Sequence, residues 1–347
     1  MPVISNNHRV TSEEVLRKII KPYPKILDKR IQPTLDDYSI EFISQAPVAA
    51  VTFSDLSLGM PIVDLKGGQF SIDSHSSLSF SIPSASTAPL TAAEENNNLY
   101  MHNMPCSVYF LIPGVGHGLR INGKAHQIKS SSDKDGYIKI VLNIQSVYLH
   151  CARAITRAEL WGTPKKSYNP NVSSIIKNSP YVLLSTQDAL GNTELSPRGD
   201  PAGFVKIVDE NNLLLPERPG NKVAVSLTNV INNPAIGLCF LVPGSSKVLY
   251  IEGNAHITTD QTLLKPLAIK GKVPKVGISI LIKSQTLDDA TVLESTKIWK
   301  KESHIRSESL TTFSKALTAH MQGEGLLGKL SNPIISGIIK HDMNNLY

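Results

Sequence analysis

The sequence repeats itself, and the repeat restricts the chain to two copies of one topology. Ala46-Pro47-Val48-Ala49-Ala50-Val51 returns 133 residues later as Ser179-Pro180-Tyr181-Val182-Leu183-Leu184. Val108-Tyr109-Phe110-Leu111-Ile112-Pro113-Gly114 returns as Leu238-Cys239-Phe240-Leu241-Val242-Pro243-Gly244 at an offset of 130. Ile121-Asn122-Gly123-Lys124-Ala125-His126 returns as Ile251-Glu252-Gly253-Asn254-Ala255-His256 at the same 130. A strand and helix ending in Trp161 recur as those ending in Trp299, 138 residues on. Offsets that drift by a few residues are what loop insertions leave in a tandem duplication. Two units in one polypeptide predict an internal pseudo-two-fold dimer, hence a monomeric chain.

Within each unit, short strands outnumber helices, which predicts a mainly β barrel with flanking helices rather than a doubly wound sheet. Residues 1–165 form copy one, 166–302 copy two and 303–347 a helical tail. Thr11-Ser12-Glu13-Glu14 caps a helix whose apolar face is Val15, Leu16, Ile19 and Ile20. A second helix is expected from Leu35 to Ile43, then a buried strand over Ala46 to Phe53 and another over Leu142 to Leu149. Lys66-Gly67-Gly68 and Asn122-Gly123 read as turns, and Gly162 to Pro170 as the linker. In the tail, Phe313, Leu317 and Met321, then Leu326, Leu327 and Leu330, predict two helices split by Gly323-Glu324-Gly325. They either pack over a barrel end or form a lid or partner-binding arm near a vacated site, and the packing reading is preferred because nothing polar there is arranged for chemistry.

A net charge of +6 over 347 residues admits an anionic ligand, but no Lys/Arg stripe interleaved with aromatics points to nucleic acid. Cys106, Cys151 and Cys239 lie far apart without metal-ligand spacing, so no metal site is expected and reduced cytoplasmic thiols are. Neither a signal-type apolar stretch nor a membrane-spanning run is legible, so a soluble intracellular protein is expected.

The chemistry concentrates in Ser196-Pro197-Arg198-Gly199-Asp200-Pro201 and Glu217-Arg218-Pro219-Gly220-Asn221-Lys222. Between them a hairpin is expected, from Gly203 to Val208 and from Leu213 to Pro216. Val223, Leu227, Val230 and Ile231 then predict a helix starting near Asn221, with Asn221 as its N-cap. Arg218, Gly220 and Lys222 at a helix N-terminus form either a phosphate site or an ordinary basic surface loop. Copy one has Val63-Asp64-Leu65-Lys66-Gly67-Gly68 and Ala88-Pro89-Leu90-Thr91-Ala92 there, followed by Glu94 and Glu95, whose charge repels a phosphate. Conversely Arg120 is matched by Tyr250, Cys151 by Asp289, Arg153 by Thr291 and Arg157 by Ser295. Each half has lost what the other kept, so one of two ancestral sites is expected to survive.

At these residues the chain resembles a branch of the pyridoxamine 5′-phosphate oxidase-like FMN-binding family. The resemblance runs through Ser196 to Val205 and Leu214 to Asn221 in copy two. In copy one it runs through Phe110 to Gly116, Leu119 to Gly123 and Leu149 to Trp161, leaving out the tail after about Glu302. It implies tandem split β-barrels with one FMN between the halves. Arg218, Asn221 and Lys222, with Gly220, would hold the phosphate, aided by Ser196, Pro197, Arg198 and Gly199. The backbone near Leu215 and Pro216 would border the flavin ring, and Arg120, Arg153, Arg157 and Trp161 would close the far side. An FMN-dependent oxidoreductase acting on a small organic molecule is implied, with oxygen or a nicotinamide as the other redox partner. The alternative is a flavin- or haem-binding protein without turnover. Arg120 and Arg153 serve either the flavin or structural ion pairs. Cys151 is expected as a small buried residue rather than a redox centre, and His117, His126 and His150 as hydrogen-bonded loop or strand-end residues.

Overall fold

Apolar spacing and local caps set the elements of this computed structural model, which describes residues 8–83, 102–128, 136–163, 169–306, 309–322 and 326–347. The first half comprises β1 (Arg9–Val10), α1 (Glu13–Ile19), a 3-10 helix (Lys25–Arg30), α2 (Asp37–Gln45), β2 (Val48–Phe53), β3 (Ile62–Asp64), β4 (Phe70–Ser74), β5 (Ser77–Pro83), β6 (Met104–Leu111), β7 (Gly118–Ile128), β8 (Tyr137–His150) and α3 (Arg153–Ala158). The second comprises α4 (Val172–Asn178), β9 (Tyr181–Gln187), β10 (Thr193–Gly199), β11 (Lys206–Ile207), β12 (Asn212–Pro216), α5 (Val225–Asn232), β13 (Ala235–Leu241), β14 (Lys247–Thr258), α6 (Gln261–Leu264), β15 (Gly277–Asp289) and α7 (Thr291–Ser295). The tail carries α8 (Phe313–Gln322) and α9 (Leu326–Asn344). The Ser12 hydroxyl accepts from the Val15 N–H to cap α1, and Asp36 accepts from the Ser39 N–H to cap α2. The first copy's loop, Ala88 to Glu95, lies outside the described residues, as do most of the linker and Gly323 to Gly325.

The two sheets share one strand order. The first runs β3-β2-β6-β7-β8-β5-β4 and the second β10-β9-β13-β14-β15-β12-β11, so adding seven to each number converts one into the other. The likeness reaches irregularities: β7 and β8 slip register between Asn122 and Gly123, β14 and β15 between Glu252 and Gly253. A Cβ on Gly123 would sit 2.0 Å from the Asn143 carbonyl oxygen, and one on Gly253 2.5 Å from that of Leu281. Asn122-Gly123 is therefore a bulge inside a long strand, not the expected turn; its glycine serves close backbone approach.

Both faces of the paired strands are buried. In β2, Ala49, Val51 and Phe53 enter the first barrel's core, while Val48 and Ala50 enter an apolar layer shared by the halves. In β9, Val182 and Leu184 enter the second core, and Tyr181 and Leu183 the shared layer. A layer built from both halves, with Leu111, Leu160, Leu241 and Ile298 at under 4% exposure, resembles a domain core cut in two. Equivalent residues meet across it, as at a two-fold axis. The Thr52 hydroxyl donates to Ser185 at 3.1 Å, the Gln187 amide to the Ser54 carbonyl at 2.6 Å, and the Trp161 and Trp299 rings lie 5.9 Å apart.

The chain's two arms cross over. Residues 9–20, expected with copy one, pack on the second barrel: β1 pairs with β14, and Val10 and Leu16 lie in the second core. The tail does the reverse, with Leu310 and Ala316 buried in the first core. There His117 lies between Phe42 of α2 and Phe313 of α8, 5.2 Å from each ring, and burial lowers its pKa to about 4. An unfolded imidazole titrates near 6.5, so protons bind the unfolded chain preferentially between these values. Stability should be complete above pH ~6.5 and fall as pH drops toward about 4. Denaturant midpoints across that range should show the slope, and His117→Phe should flatten it.

Candidate functional site

Strand β10 is the outer edge of the second sheet, which lets Pro197 sit in it without breaking a ladder bond. Its outward backbone is covered by side chains of the first half. The Leu195 N–H donates to the Ser107 hydroxyl at 3.1 Å, and the Leu195 carbonyl accepts from Arg120 Nη1 at 3.1 Å. Gly199 ends the strand where helix α3 of the first half presses on it; a Cβ would lie 1.9 Å from the Ala154 carbonyl oxygen. Helix α5 is tied to the same strand by the Ser226 hydroxyl, 3.0 Å from that of Ser196.

These contacts enclose a cavity at the seam. Its walls include Arg120, Arg153 and Arg157 from the first half, and Ser196, Pro197, Arg198, Gly199, Pro216, Arg218, Gly220 and Asn221 from the second. Three of the arginines are held by carboxylates, two in the walls and one behind them. Arg120 pairs with Glu194 at 3.1 Å, Arg198 pairs with Glu217, and Arg218 Nε donates to Asp200 at 2.6 Å. Asp200 is fully buried, so its carboxylate can serve only to fix Arg218 and to accept, at 2.7 Å, from the Tyr347 hydroxyl. Arg153 Nη1 and Arg157 Nη2 both donate to the Pro219 carbonyl, at 3.0 and 2.6 Å, so the first half pins the loop of the second.

The helix beyond that loop begins later than expected. Asn221 accepts from the Val223 N–H in a local turn and points its amide toward the Tyr148 hydroxyl at 3.5 Å. Ala224, in the left-handed region at φ 60°, is the residue before α5 and supplies no side-chain cap. The first N–H groups of α5 thus stay available beside the cavity, which Ala224, Val225 and Ser226 also line.

The cavity's polar atoms are under-satisfied. Among the described residues, Arg30 Nε, Arg120 Nε, Arg198 Nε, His150 Nε2 and Glu194 Oε2 are buried without a hydrogen-bond partner, and all five residues line this cavity. Buried polar atoms without a partner cost free energy. His150 stays neutral: burial first, then Arg120, Arg30 and Arg198, hold its pKa well below the ordinary value. Burial raises the Tyr148 pKa, keeping its hydroxyl protonated.

Three expected residues stand elsewhere. Leu215 points into the second barrel's core, and Lys222 does not line the cavity; its carbonyl accepts from Arg17 at 2.9 Å. Trp161 does not line it either. Its indole donates to the Val115 carbonyl, and Trp299 makes the equivalent bond to Ser245, so both tryptophans lock the same turn in their own copies. Cys151, expected to be buried, is exposed at the cavity rim, and His150, expected to be hydrogen-bonded, has an unpartnered Nε2. The position matching Arg120 holds Tyr250, whose hydroxyl crosses the seam to the Leu56 carbonyl at 2.9 Å.

Sequence reasoning missed Tyr23, Arg30, Tyr148 and Glu194 in the walls and Asp200 behind them. It also missed Tyr347, whose ring lies 5.3 Å from the Arg157 guanidinium carbon and 5.8 Å from that of Arg218, with its pKa raised to about 12 by burial and Asp200. The tail thus packs on the first barrel's core through Leu310 and Ala316 and reaches the cavity's edge through Tyr347. Among the described residues no group of three His, Cys, Asp or Glu is placed to hold a metal, and no helix is long and apolar enough to cross a membrane.

Fold and cavity together define a pair of split β-barrels with an arginine-lined pocket at their seam. Residues 168–296, in the second half, match the family model of pyridoxamine 5′-phosphate oxidase. Among solved structures, HupZ of Group A Streptococcus is 17% identical, over 36% of this chain and 96% of its own, with a TM-score of 0.30. An F420 reductase is 16% identical, over 34% of this chain and 98% of its own, at 0.27. HutZ, the haem storage protein of Vibrio cholerae, is 13% identical, over 36% of this chain and 95% of its own, at 0.26. No curated protein matches the chain.

Proposed function

We propose that this chain is a monomeric flavoprotein oxidoreductase that binds one FMN in the seam cavity and acts on a small organic substrate. The observation that carries the reading is the convergence of arginines from both halves on one cavity, Arg120, Arg153 and Arg157 from the first and Arg198 and Arg218 from the second. The donor set suits an anionic, acceptor-rich occupant. Arg218 is held by Asp200, Arg153 and Arg157 pin the loop, and the uncapped α5 N-terminus adds N–H groups and a positive dipole end. These would hold the phosphate, with Asn221 and Gly220 beside it. FMN supplies hydride-accepting redox chemistry wherever it binds. The chain's own part is orientation and charge: Arg120, 6% exposed, sets a desolvated positive charge in the wall, and Glu194 keeps it in place. Tyr250 and its bond to Leu56 occupy the pseudo-symmetric position, which supports a single cofactor per chain. Free thiols at Cys106, Cys151 and Cys239 support a reducing compartment such as the cytoplasm.

One observation favours a second reading. His150 is neutral, lines the cavity and has an unpartnered Nε2, the form of imidazole that ligates haem iron. Absorbance of the purified chain and mass spectrometry of the ligand released on denaturation separate the two. Flavin bands with one FMN per chain are expected; a Soret band would install the haem reading instead, and neither chromophore would remove both.

A further inference from the structure

We propose that Arg30 anchors the substrate, and that the substrate carries a carboxylate which this guanidinium receives on the amino-terminal wall of the cavity. The proposal rests on the reading of the cavity as a flavin site and names the substrate class for it.

Arg30 closes the 3-10 helix Lys25–Arg30 and is 8% exposed. It differs from every other arginine of the cavity. Arg120, Arg198 and Arg218 each have a carboxylate, and Arg153 and Arg157 each have a backbone carbonyl. Arg30 has no ion pair or hydrogen bond with any described residue, and its Nε is shut off from water. Its guanidinium carbon lies 4.7 Å from the centre of the Tyr148 ring, and that of Arg120 lies 5.0 Å from the same ring. A cation over an aromatic face recovers less than the cost of burying a charge without a partner, so Tyr148 offsets only part of that cost.

The residue is also fixed in place, which a binding group needs and a wandering surface arginine lacks. Immediately after it, the Gln32 N–H donates to the Val147 carbonyl at 2.9 Å and the Val147 N–H returns to Gln32 at 2.7 Å, next to Tyr148 itself. Asp28 is the wall's nearest carboxylate in sequence, but it accepts from the Tyr23 hydroxyl at 2.8 Å and makes no ion pair with Arg30. Its negative charge on the same wall disfavours a dianionic phosphate there and tolerates a monoanion. A planar guanidinium with unused donors matches a carboxylate's two oxygens. The phosphate end is separate, since Asn221 approaches Tyr148 at its hydroxyl whereas Arg30 lies over its ring.

The test uses the full chain loaded with FMN. Acetate and benzoate are titrated calorimetrically against their neutral counterparts acetamide and benzamide, at low salt, with the flavin spectrum recorded alongside. At least one carboxylate should bind about tenfold or more tighter than its amide, the loss expected for one charge-assisted contact. Arg30→Gln should bring that ratio near one with FMN content and thermal midpoint unchanged, and Arg30→Lys should keep part of it. Carboxylate and amide binding alike, or an Arg30→Gln chain with an unchanged ratio, would overturn the proposal. So would loss of FMN from folded Arg30→Gln, which would assign Arg30 to the cofactor while leaving the flavin reading intact. A chain that binds no FMN at all sinks the flavin reading instead, and the carboxylate preference can still be measured on it. Should Arg30→Gln fail to fold, the Arg30→Lys ratio decides: no change from wild type counts against the proposal.

Discussion

Arg218→Ala should leave a chain that folds less stably and binds FMN about 10²- to 10³-fold more weakly. The two losses have one cause. Arg218 Nε and the buried Asp200 carboxylate are 2.6 Å apart, and truncating the arginine strands a charge with no exposure to water. Breaking a buried pair in this way costs about 3–5 kcal/mol, much of it the penalty of the abandoned partner. The Tyr347 hydroxyl still donates to Asp200 but brings no positive charge. The binding loss is separable, because it comes from the guanidinium donors that Asp200 leaves for an anion. Asp200→Asn combined with Arg218→Met removes the stranded charge, so it should recover much of the thermal midpoint and none of the affinity. Equilibrium dialysis of FMN with a thermal melt reads both quantities. If the single variant keeps wild-type affinity, the anion does not bind at this loop.

How much of this was legible in the sequence depends on how local each feature is. That the two sheets share one strand order was recoverable because repeated strings such as Ile121 to His126 and Ile251 to His256 fall at the same place in each sheet, bulge included. The gathering of Arg120, Arg153 and Arg157 with Arg198 and Arg218 was legible only through complementary losses between the copies. Local rules misread two points. Asn-Gly is a strong turn signal, but in β7 its glycine answers to the Asn143 carbonyl on the next strand, which no local pattern contains. Asn221 has a capping side chain, yet it caps its own turn, and left-handed backbone at Lys222 and Ala224 delays the helix. Arg30, Tyr148 and Tyr347 lay beyond reach for another reason. Tyr347 arrives on a tail that ends against the second half, Arg30 is placed by the Gln32–Val147 pairing, and Tyr148 is a strand residue whose side nothing local assigns to the cavity; none of these placements has a sequence periodicity. Trp161 shows the opposite error: a residue that recurs in both copies, as Trp161 and Trp299 do, is better explained by a bond both copies need than by a site only one retains.

The seam itself yields the other large effect, because Gly199→Ala should cost both stability and cofactor binding from a single methyl group. The added carbon would fall 1.9 Å from the Ala154 carbonyl oxygen, 2.6 Å from its carbon and 3.0 Å from its Cα, all backbone of α3. No side-chain rotation relieves that overlap, so α3 must move away from β10 or the strand must bend. Overpacking of this kind costs about 1–3 kcal/mol and more where only backbone can yield. The displaced helix carries Arg153 and Arg157, whose bonds to Pro219 place the loop that bears Arg218, and a shift of about 1 Å is enough to spoil such contacts. A lowered thermal midpoint and FMN affinity reduced about tenfold or more are therefore expected together. Gly337→Ala, in open space on α9, should change neither by much and guards against a general intolerance of alanine. The two readouts test different statements. A Gly199→Ala chain that melts early yet holds FMN as tightly as wild type would show that the halves touch at this seam without sharing a site. Both quantities falling together would require that the first half, whose own Arg120 position is filled by Tyr250 in the second, binds the ligand through its neighbour's loop.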